Sequence, residues 1–182
     1  MPIAIDIGTR ALHLVQGQAS KTSVAIRQAC IEPLPSGLVQ DGSIREFGGL
    51  EMALKTMLAK YRIRDKACAV TVNGSHIYNR ELDVPNAKEK LLDDIVSFEV
   101  KSSLSAAKEV AVEYTVSKQK VPDKPDYLRV RASAMQVDYI NDYHKLLKNC
   151  GLTPIALDIH PNALCKLTAG SEINGRPQKE GA

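Results

Sequence analysis

The sequence predicts a mixed-sheet α/β fold that carries a small inserted α+β subdomain. Strand and helix patterns alternate in a mixed order along the 182 residues, a length that fits one ordinary domain or two small ones. The chain has no Trp and only 2 Phe, so a core must be built from aliphatic side chains. A proline-marked junction near Pro85 and a glycine at Gly151 enclose a segment with its own strand and helix order.

The first half predicts three strands, a loop, a helix and a further strand. Short runs of apolar residues separated by turn residues predict strands at Ile3–Ile7, Ala11–Gln18 and Ser23–Cys30. Prolines and glycines between residues 33 and 42 predict a long loop. Leu50–Tyr61 is predicted as a helix, because its apolar residues share one face. Lys66–Val72 is mostly apolar, which is typical of a strand covered on both faces.

The second half predicts the insert and a return to the main sheet. A strand near Ile77–Leu82 runs up to Pro85, and a helix over Lys88–Leu104 is expected to turn four apolar residues to the core: Leu91, Leu92, Ile95 and Phe98. The remaining predicted elements are strands at Val110–Lys118 and Leu128–Met135, a helix at Val137–Asn149, a strand at Pro154–Ile159 and a helix at Asn162–Ala169. The tail from Gly170 lacks periodicity and is predicted as a loop.

Composition excludes several classes of function. The 24 Lys and Arg residues against 21 Asp and Glu give a net charge of +3, and the basic residues are interspersed with acids, which disfavours nucleic-acid binding. No apolar run approaches the ~20 residues of a membrane-spanning helix, and the N-terminus lacks the pattern of a secretory signal, so we expect a cytoplasmic location. The four cysteines are predicted to be reduced, buried and inert: Cys30, Cys68, Cys150 and Cys165. The four scattered histidines have no ligand spacing that supports a metal site.

The most informative motif is the first strand and its turn, Ile3-Ala4-Ile5-Asp6-Ile7-Gly8-Thr9-Arg10. Gly8 allows backbone N–H groups to approach an anion, and the Thr9 hydroxyl adds a donor. The Asp6 carboxylate could hold hydrated Mg²⁺, which prefers one or two carboxylates with waters and phosphate oxygens. The alternative is a plain β-hairpin in which Asp6 and Thr9 hydrogen-bond the turn.

Further segments extend the motif into a family pattern. They are Leu14-Val15-Gln16, Pro33-Leu34-Pro35-Ser36-Gly37, Asp41-Gly42-Ser43-Ile44, Arg80-Glu81-Leu82-Asp83-Val84-Pro85, Cys150-Gly151-Leu152-Thr153-Pro154, Leu157-Asp158-Ile159 and Ala163-Leu164. With the Asp6 loop, their order and spacing resemble the type IV pilus assembly family PilM of the actin-like ATPase superfamily, whose relatives include the cell-division family FtsA. The resemblance implies an actin-like (ribonuclease H-like) α/β fold.

The resemblance also implies a domain layout and a nucleotide site. Residues 1–82 would form the first part of subdomain 1A, residues 83–151 an inserted subdomain 1C, and residues 152–182 the return of 1A with a truncated tail. ATP and Mg²⁺ would be bound in the intact protein by a phosphate loop made of Asp6, Gly8, Thr9, Arg10 and His13. His13 stands where the superfamily commonly has Lys, and a neutral imidazole is a poorer phosphate partner than an ammonium. The opposing loop of subdomains 2A and 2B would follow this span, so we expect neither catalytic residues nor tightly bound nucleotide here.

The partner implied by the resemblance is the cytoplasmic N-terminal tail of a PilN-like membrane protein. The tail would bind in a groove between 1A and 1C, near Leu82, Val84, Pro85 and Leu91. The chain would then be a pilus scaffold or adaptor at the inner face of the membrane, attached only indirectly and able to form a ring. The alternatives are an FtsA-like cell-division protein and an active ATPase.

Overall fold

The computed structural model describes residues 1–20, 23–104, 109–168, 172–173 and 176–177. Two compact units divide the chain: unit 1 comprises Met1–Ser75 with Asn141–Glu180, and unit 2 comprises His76–Ile140. The elements up to residue 75 are β1 (Ile3–Ile7), β2 (Ala11–Ala19), β3 (Val24–Pro33), β4 (Val39–Gln40), β5 (Ser43–Ile44), α1 (Phe47–Lys60) and β6 (Ala67–Val72). Those that follow are β7 (Tyr78–Pro85), α2 (Glu89–Leu104), β8 (Val110–Lys120), β9 (Tyr127–Gln136), α3 (Val137–Asn149), β10 (Thr153–Ile159), α4 (His160–Thr168), β11 (Glu172–Ile173) and β12 (Arg176–Pro177).

Unit 1 is built on a five-stranded mixed sheet with the strand order β10-β6-β1-β2-β3. The hairpin strands β1, β2 and β3 are antiparallel, whereas β1, β6 and β10 are parallel to one another. Alternate residues of β1 are buried, with Ile3, Ile5 and Ile7 each no more than 2% exposed. The three parallel strands therefore deliver their carboxyl ends to one edge of the sheet.

The helices of unit 1 complete an aliphatic core, as the composition predicted. The buried residues of α1 are Leu50, Leu54, Met57 and Leu58. The helix begins after Glu46, whose side chain accepts a hydrogen bond from the Gly49 N–H at 2.5 Å, so one otherwise unpaired donor of the first turn is satisfied. The second half of α3 adds Tyr143, Leu146 and Leu147 to the buried set.

Unit 2 is a three-stranded antiparallel sheet with the order β7-β9-β8, against which α2 packs. Its buried cluster consists of Val84, Leu92, Val96, Val100, Val130, Ala132 and Ala134. The prediction that Leu91 and Phe98 face this core is wrong, because both side chains are exposed, at 56% and 68%. The row Leu92, Val96 and Val100, spaced by four residues, faces the sheet in their place.

The unit boundaries differ from the predicted limits of the insert. All of β7 pairs with β9, from Tyr78 to Pro85, so the strand lies within unit 2 from its first residue. The buried residues of α3 lie after Asn141, in unit 1. The identification of these units with subdomains 1A and 1C stays a prediction.

Three smaller expectations need correction. The predicted loop before α1 contains the short pair β4 and β5, and the tail contains the short pair β11 and β12. Ala169, the predicted last residue of the final helix, and the other tail residues lie outside the described residues. The expectation that all four cysteines are buried is wrong for Cys165, which is exposed on α4, a helix without buried residues. Cys30 and Cys68 are buried and Cys150 is half-buried. Burial raises the pKa of Cys68 to about 12 and that of Cys150 to about 11, so both thiols stay protonated at neutral pH.

Candidate phosphate-loop site

The turn between β1 and β2 has the tight geometry that the motif predicted. The Gly8 N–H donates to the Ala11 carbonyl oxygen at 3.1 Å. A Cβ atom on Gly8 would lie 3.0 Å from that oxygen, which favours glycine at this position. Thr9 and Arg10 follow at the exposed tip, so the loop presents a hydroxyl and a guanidinium to solvent.

The strand registers bring four polar residues into one row across the sheet. His13 pairs with Asp6, Asp6 with Thr71, and Thr71 with Asp158, on β2, β1, β6 and β10 respectively. Directly paired residues share a face of the sheet. The sequence analysis predicted only Asp6 and His13 of this row as site residues.

The Asp6 carboxylate is contacted from two strands and a helix. The Nδ1 atom of His13 lies 3.0 Å from Oδ2, and the Nε2 atom of His160 lies 2.6 Å from Oδ1. The Thr71 hydroxyl donates to Oδ1 at 3.4 Å. The contacts with Thr71 and His160 reach residues outside the β1–β2 hairpin, on β6 and α4.

His160 is a site residue that sequence reasoning missed. It is the first residue of α4 and directly follows β10, at the carboxyl edge of the parallel strands. A polar residue immediately after a strand that ends at this edge is the signal that could have pointed to it. Because His160 and Asp6 are 154 residues apart in the chain, local sequence patterns could not predict their contact.

Asp158 anchors the start of α4 and thereby supports His160. Its carboxylate accepts hydrogen bonds from the Ile159 N–H at 2.8 Å, from Asn162 Nδ2 at 2.7 Å and from Lys166 Nζ at 2.8 Å. Burial alone would raise the pKa of Asp158, but these hydrogen bonds outweigh it and lower the pKa. The charged carboxylate therefore persists at neutral pH and holds the first turns of the helix.

The donor set of this site fits the phosphate end of a nucleotide. Two imidazoles, the exposed Thr9 hydroxyl and Arg10 are hydrogen-bond donors of the kind that bind phosphate oxygens. Within the described part of the chain, no cluster of three or more His, Cys, Asp and Glu residues is arranged to hold a metal ion. A single carboxylate suits Mg²⁺ that keeps its waters and phosphate ligands, with Asp6 as the residue that would face it.

The residues predicted to border the partner groove fall into two groups. Val84 is 1% exposed within the unit 2 core and Leu82 is half-buried against it. Pro85 and Leu91 are exposed. Phe98, seven residues beyond Leu91 on the same helix, is also exposed, at 68%.

Comparison with known families identifies the chain. A sequence profile of the family described as type IV pilus assembly protein PilM matches residues 4–171. The chain belongs to this family. This match decides between the pilus and cell-division branches that the sequence analysis left open. In the described part of this PilM-family chain, no helix is both long and apolar enough to cross a membrane.

Two solved structures show the same fold, and a third is a weaker match. A chain of a PilM–PilN type IV pilus biogenesis complex matches with a TM-score of 0.79 and 21% identity, over 92% of this chain and 51% of that one. The cytoplasmic domain of EpsL, an inner membrane component of the type II secretion system of Vibrio cholerae, matches with a TM-score of 0.53 and 10% identity, over 86% and 56%. A Bacteroides thetaiotaomicron protein with an actin-like ATPase fold matches with a TM-score of 0.40 and 10% identity, over 92% of this chain and 55% of that one. The predicted actin-like α/β fold is confirmed, and the chain spans about half the length of the solved chain it matches first.

Proposed function

We propose that this chain is the peptide-binding part of a type IV pilus adaptor that captures the cytoplasmic N-terminal tail of a PilN-like inner-membrane protein. The observation that carries the proposal is the match to the PilM family over residues 4–171. The likeness to a PilM–PilN complex adds to it. In this role the chain lies in the cytoplasm at the inner face of the membrane, is attached through its partner, and serves as a scaffold that assembles into a ring.

Two exposed residues of unit 2 are the ones through which we expect the tail to be bound. Pro85 ends β7, and Leu91 lies on the outward face of α2. Val84 is buried in the core of unit 2, so we expect it to stabilise β7 and not to contact the partner directly. Burying an exposed Leu side chain against a peptide stabilises a complex by about 1.5–3 kcal/mol before entropic costs.

A titration with the tail peptide of the neighbouring PilN-like protein tests the adaptor function. We expect a Kd on the order of micromolar, about −8 kcal/mol, with amide shifts across residues 77–92. Leu91→Ser should weaken binding about tenfold or more, consistent with the loss of a buried apolar contact. Leu164→Ser is the matched control, because Leu164 is a leucine of similar exposure (59% against 56%) on α4 in unit 1. Silent amides at millimolar peptide would contradict the proposal.

We further infer that the phosphate-loop site binds the phosphates of ATP in the intact protein. The row of His13, Asp6 and Thr71, joined by His160, supports this assignment. A bound nucleotide with Mg²⁺ would supply the charge and coordination for phosphoryl transfer. The chain's own contribution is to orient Asp6 from two strands and a helix and to offer Thr9 and Arg10 at the tip.

Nucleotide binding is tested with a fluorescent ATP analogue and the full-length parent protein. Asp6→Asn keeps the shape of the side chain but removes the charge that a hydrated cation requires, so we expect about tenfold weaker binding in the presence of Mg²⁺. Asp94→Asn is the matched control, since Asp94 is an exposed carboxylate on α2 in unit 2. This chain alone should show no measurable turnover, because transition-state charge needs groups fixed on both sides of the phosphate. Turnover by the chain that Asp6→Ala abolishes would contradict that expectation.

A further inference from the structure

A groove runs along the outer strand of unit 2, between β8 and α2. Its cavity volume is about 690 Å³. Leu92 forms part of the floor with the half-buried side chains of Val112 and Tyr114, which pack against the unit 2 core. Val116, 48% exposed, provides an uncovered apolar surface. The groove is thus apolar at its base and open to solvent.

One wall of the groove is a sheet edge. In the order β7-β9-β8, β8 has a strand neighbour on one side only within the described part of the chain. β8 is 11 residues long, from Val110 to Lys120. An edge strand of this length presents outward N–H and C=O groups that can pair with another extended segment. The wall therefore offers backbone hydrogen bonds in addition to the apolar base.

The groove is also acidic. Glu89, Asp93 and Glu113 are exposed and line it, and no lining residue among those described is Lys or Arg. Asp93 accepts a hydrogen bond from the Tyr114 hydroxyl at 2.6 Å. This hydrogen bond, with burial and the charges of Asp93 and Glu89, raises the pKa of Tyr114 to about 12. The phenol therefore stays protonated, and the carboxylates set a negative potential over the base.

We propose that this groove binds an extended peptide segment of another protein, in which basic residues alternate with apolar ones, as an additional strand on β8. Side chains of a strand alternate between its two faces, so every second residue would point toward α2. A Lys or Arg at such a position lays its aliphatic stem on the apolar base and brings its charge to Glu89 and Asp93. Backbone hydrogen bonds between the peptide and β8 would provide affinity, and the carboxylates of the groove would favour basic residues in the peptide. This site lies within unit 2 and does not depend on the proposed binding of the PilN-like tail.

The probe is a fluorescein-labelled synthetic peptide of about nine residues, the length of a long strand, in which lysine alternates with valine and threonine. Fluorescence anisotropy with the full chain should give saturable binding, with amide shifts that centre on Val110–Ser117. The double variant Glu89→Gln, Asp93→Asn should weaken binding about tenfold or more. The matched control is Glu99→Gln, an exposed glutamate of the same helix outside the groove, which should change binding less than about twofold.

A peptide N-methylated at alternate amides separates strand addition from simple charge attraction, because it keeps every charge but loses backbone donors. We expect it not to bind, and equal binding would overturn the proposal. Equal binding of the parent peptide to the double variant, shown folded by circular dichroism, would overturn it as well. Displacement of the probe by the PilN-like tail would show one shared site and overturn the separate groove. If sedimentation showed that the chain self-associates through β8, a second copy would occupy the edge strand, and this result would also overturn the proposal.

Discussion

Asp6 joins β1 to β2, β6 and α4 through the two oxygens of one carboxylate. Its contacts with His13, Thr71 and His160 involve both Oδ1 and Oδ2. A half-buried carboxylate that is contacted by several donors is held in one orientation. At the scale of the residue, Asp6 is therefore a preoriented carboxylate rather than a free side chain on a turn.

Among the residues that the structure describes, Tyr143 is the largest of the fully buried side chains. Its hydroxyl donates to the Gly42 carbonyl oxygen at 2.6 Å. Burial, followed by the charges of Asp6 and Asp142, raises its pKa, so the hydroxyl stays protonated. Tyr143→Phe should lower the free energy of unfolding by about 1–3 kcal/mol, because a buried carbonyl loses its donor.

Urea unfolding measures this change, with Tyr127→Phe as the control. Tyr127 is 37% exposed, and its substitution should change the free energy of unfolding by less than about 0.5 kcal/mol. A Tyr143→Phe variant as stable as the parent would mean that water replaces the lost donor at Gly42.

His76 offers a prediction of the opposite sign. Its ring stacks on Tyr139 with a centroid separation of 4.2 Å, while both ring nitrogens are buried without a hydrogen-bond partner among the described residues. His76→Phe keeps the stacking and removes two unsatisfied polar atoms, so the free energy of unfolding should rise by about 1 kcal/mol. His76→Ala, which removes the stacking too, should lower it. Thermal unfolding of both variants checks the pair, and a destabilised phenylalanine variant would contradict the prediction.

At the scale of the element, α2 shows two apolar faces with different roles. Val96 is fully buried in the core of unit 2, whereas Phe98, two residues later, is 68% exposed. Val96→Ala should lower the free energy of unfolding by about 2 kcal/mol, from lost burial and the cavity that remains. Phe98→Ser should change it by less than about 0.5 kcal/mol. Chemical denaturation of the two variants measures the difference.

The outcome for α2 bears on function as well as on packing. A Phe98→Ser variant that unfolds like the parent but loses affinity for the tail peptide would extend the Leu91 contact surface along the helix. A loss of stability as large as that of Val96→Ala would show that Phe98 is covered in solution, in contradiction to its exposure here.

At the scale of the whole molecule, we expect paired carboxylates in both units to contribute to the response to acid. Hydrogen bonds from Lys60 and then Tyr61 lower the pKa of Glu32 in unit 1. A hydrogen bond from Arg129 is the main cause that lowers the pKa of Asp83 in unit 2. A carboxylate whose pKa is lower in the folded state contributes stability above its unfolded pKa and loses it as the pH falls through the folded value.

Stability should therefore fall as the pH is lowered from about 5 to about 3, where these carboxylates take up protons. Urea midpoints measured across that range test the expectation. Asp83→Asn should flatten the decline, because Arg129 then faces a group that does not titrate. The exposed carboxylate of Asp94 gives the control Asp94→Asn, and an unchanged slope in the Asp83 variant would contradict the assignment.

The order of the elements followed from local patterns. Alternating and helical spacings predicted each main strand and helix, including α3 from Val137 to Asn149, because periodicity depends only on near neighbours in the chain. The Asp6 loop was predictable in the same way, since its turn lies within one hairpin. The order of the short motifs was enough to indicate the PilM family, and the profile match confirmed it.

The tertiary structure determined which residues from distant segments contact one another and which face of a helix is buried. Only the parallel pairing of β1, β6 and β10 brings His160 to Asp6, because alignment of strand ends depends on the sheet and not on adjacent residues. Only packing on the sheet of unit 2 selects Val96 and Val100 over Leu91 and Phe98 as the buried face of α2. Both faces of that helix carry apolar residues at helical spacing, so hydrophobicity alone leaves the choice open and the contact surface makes it.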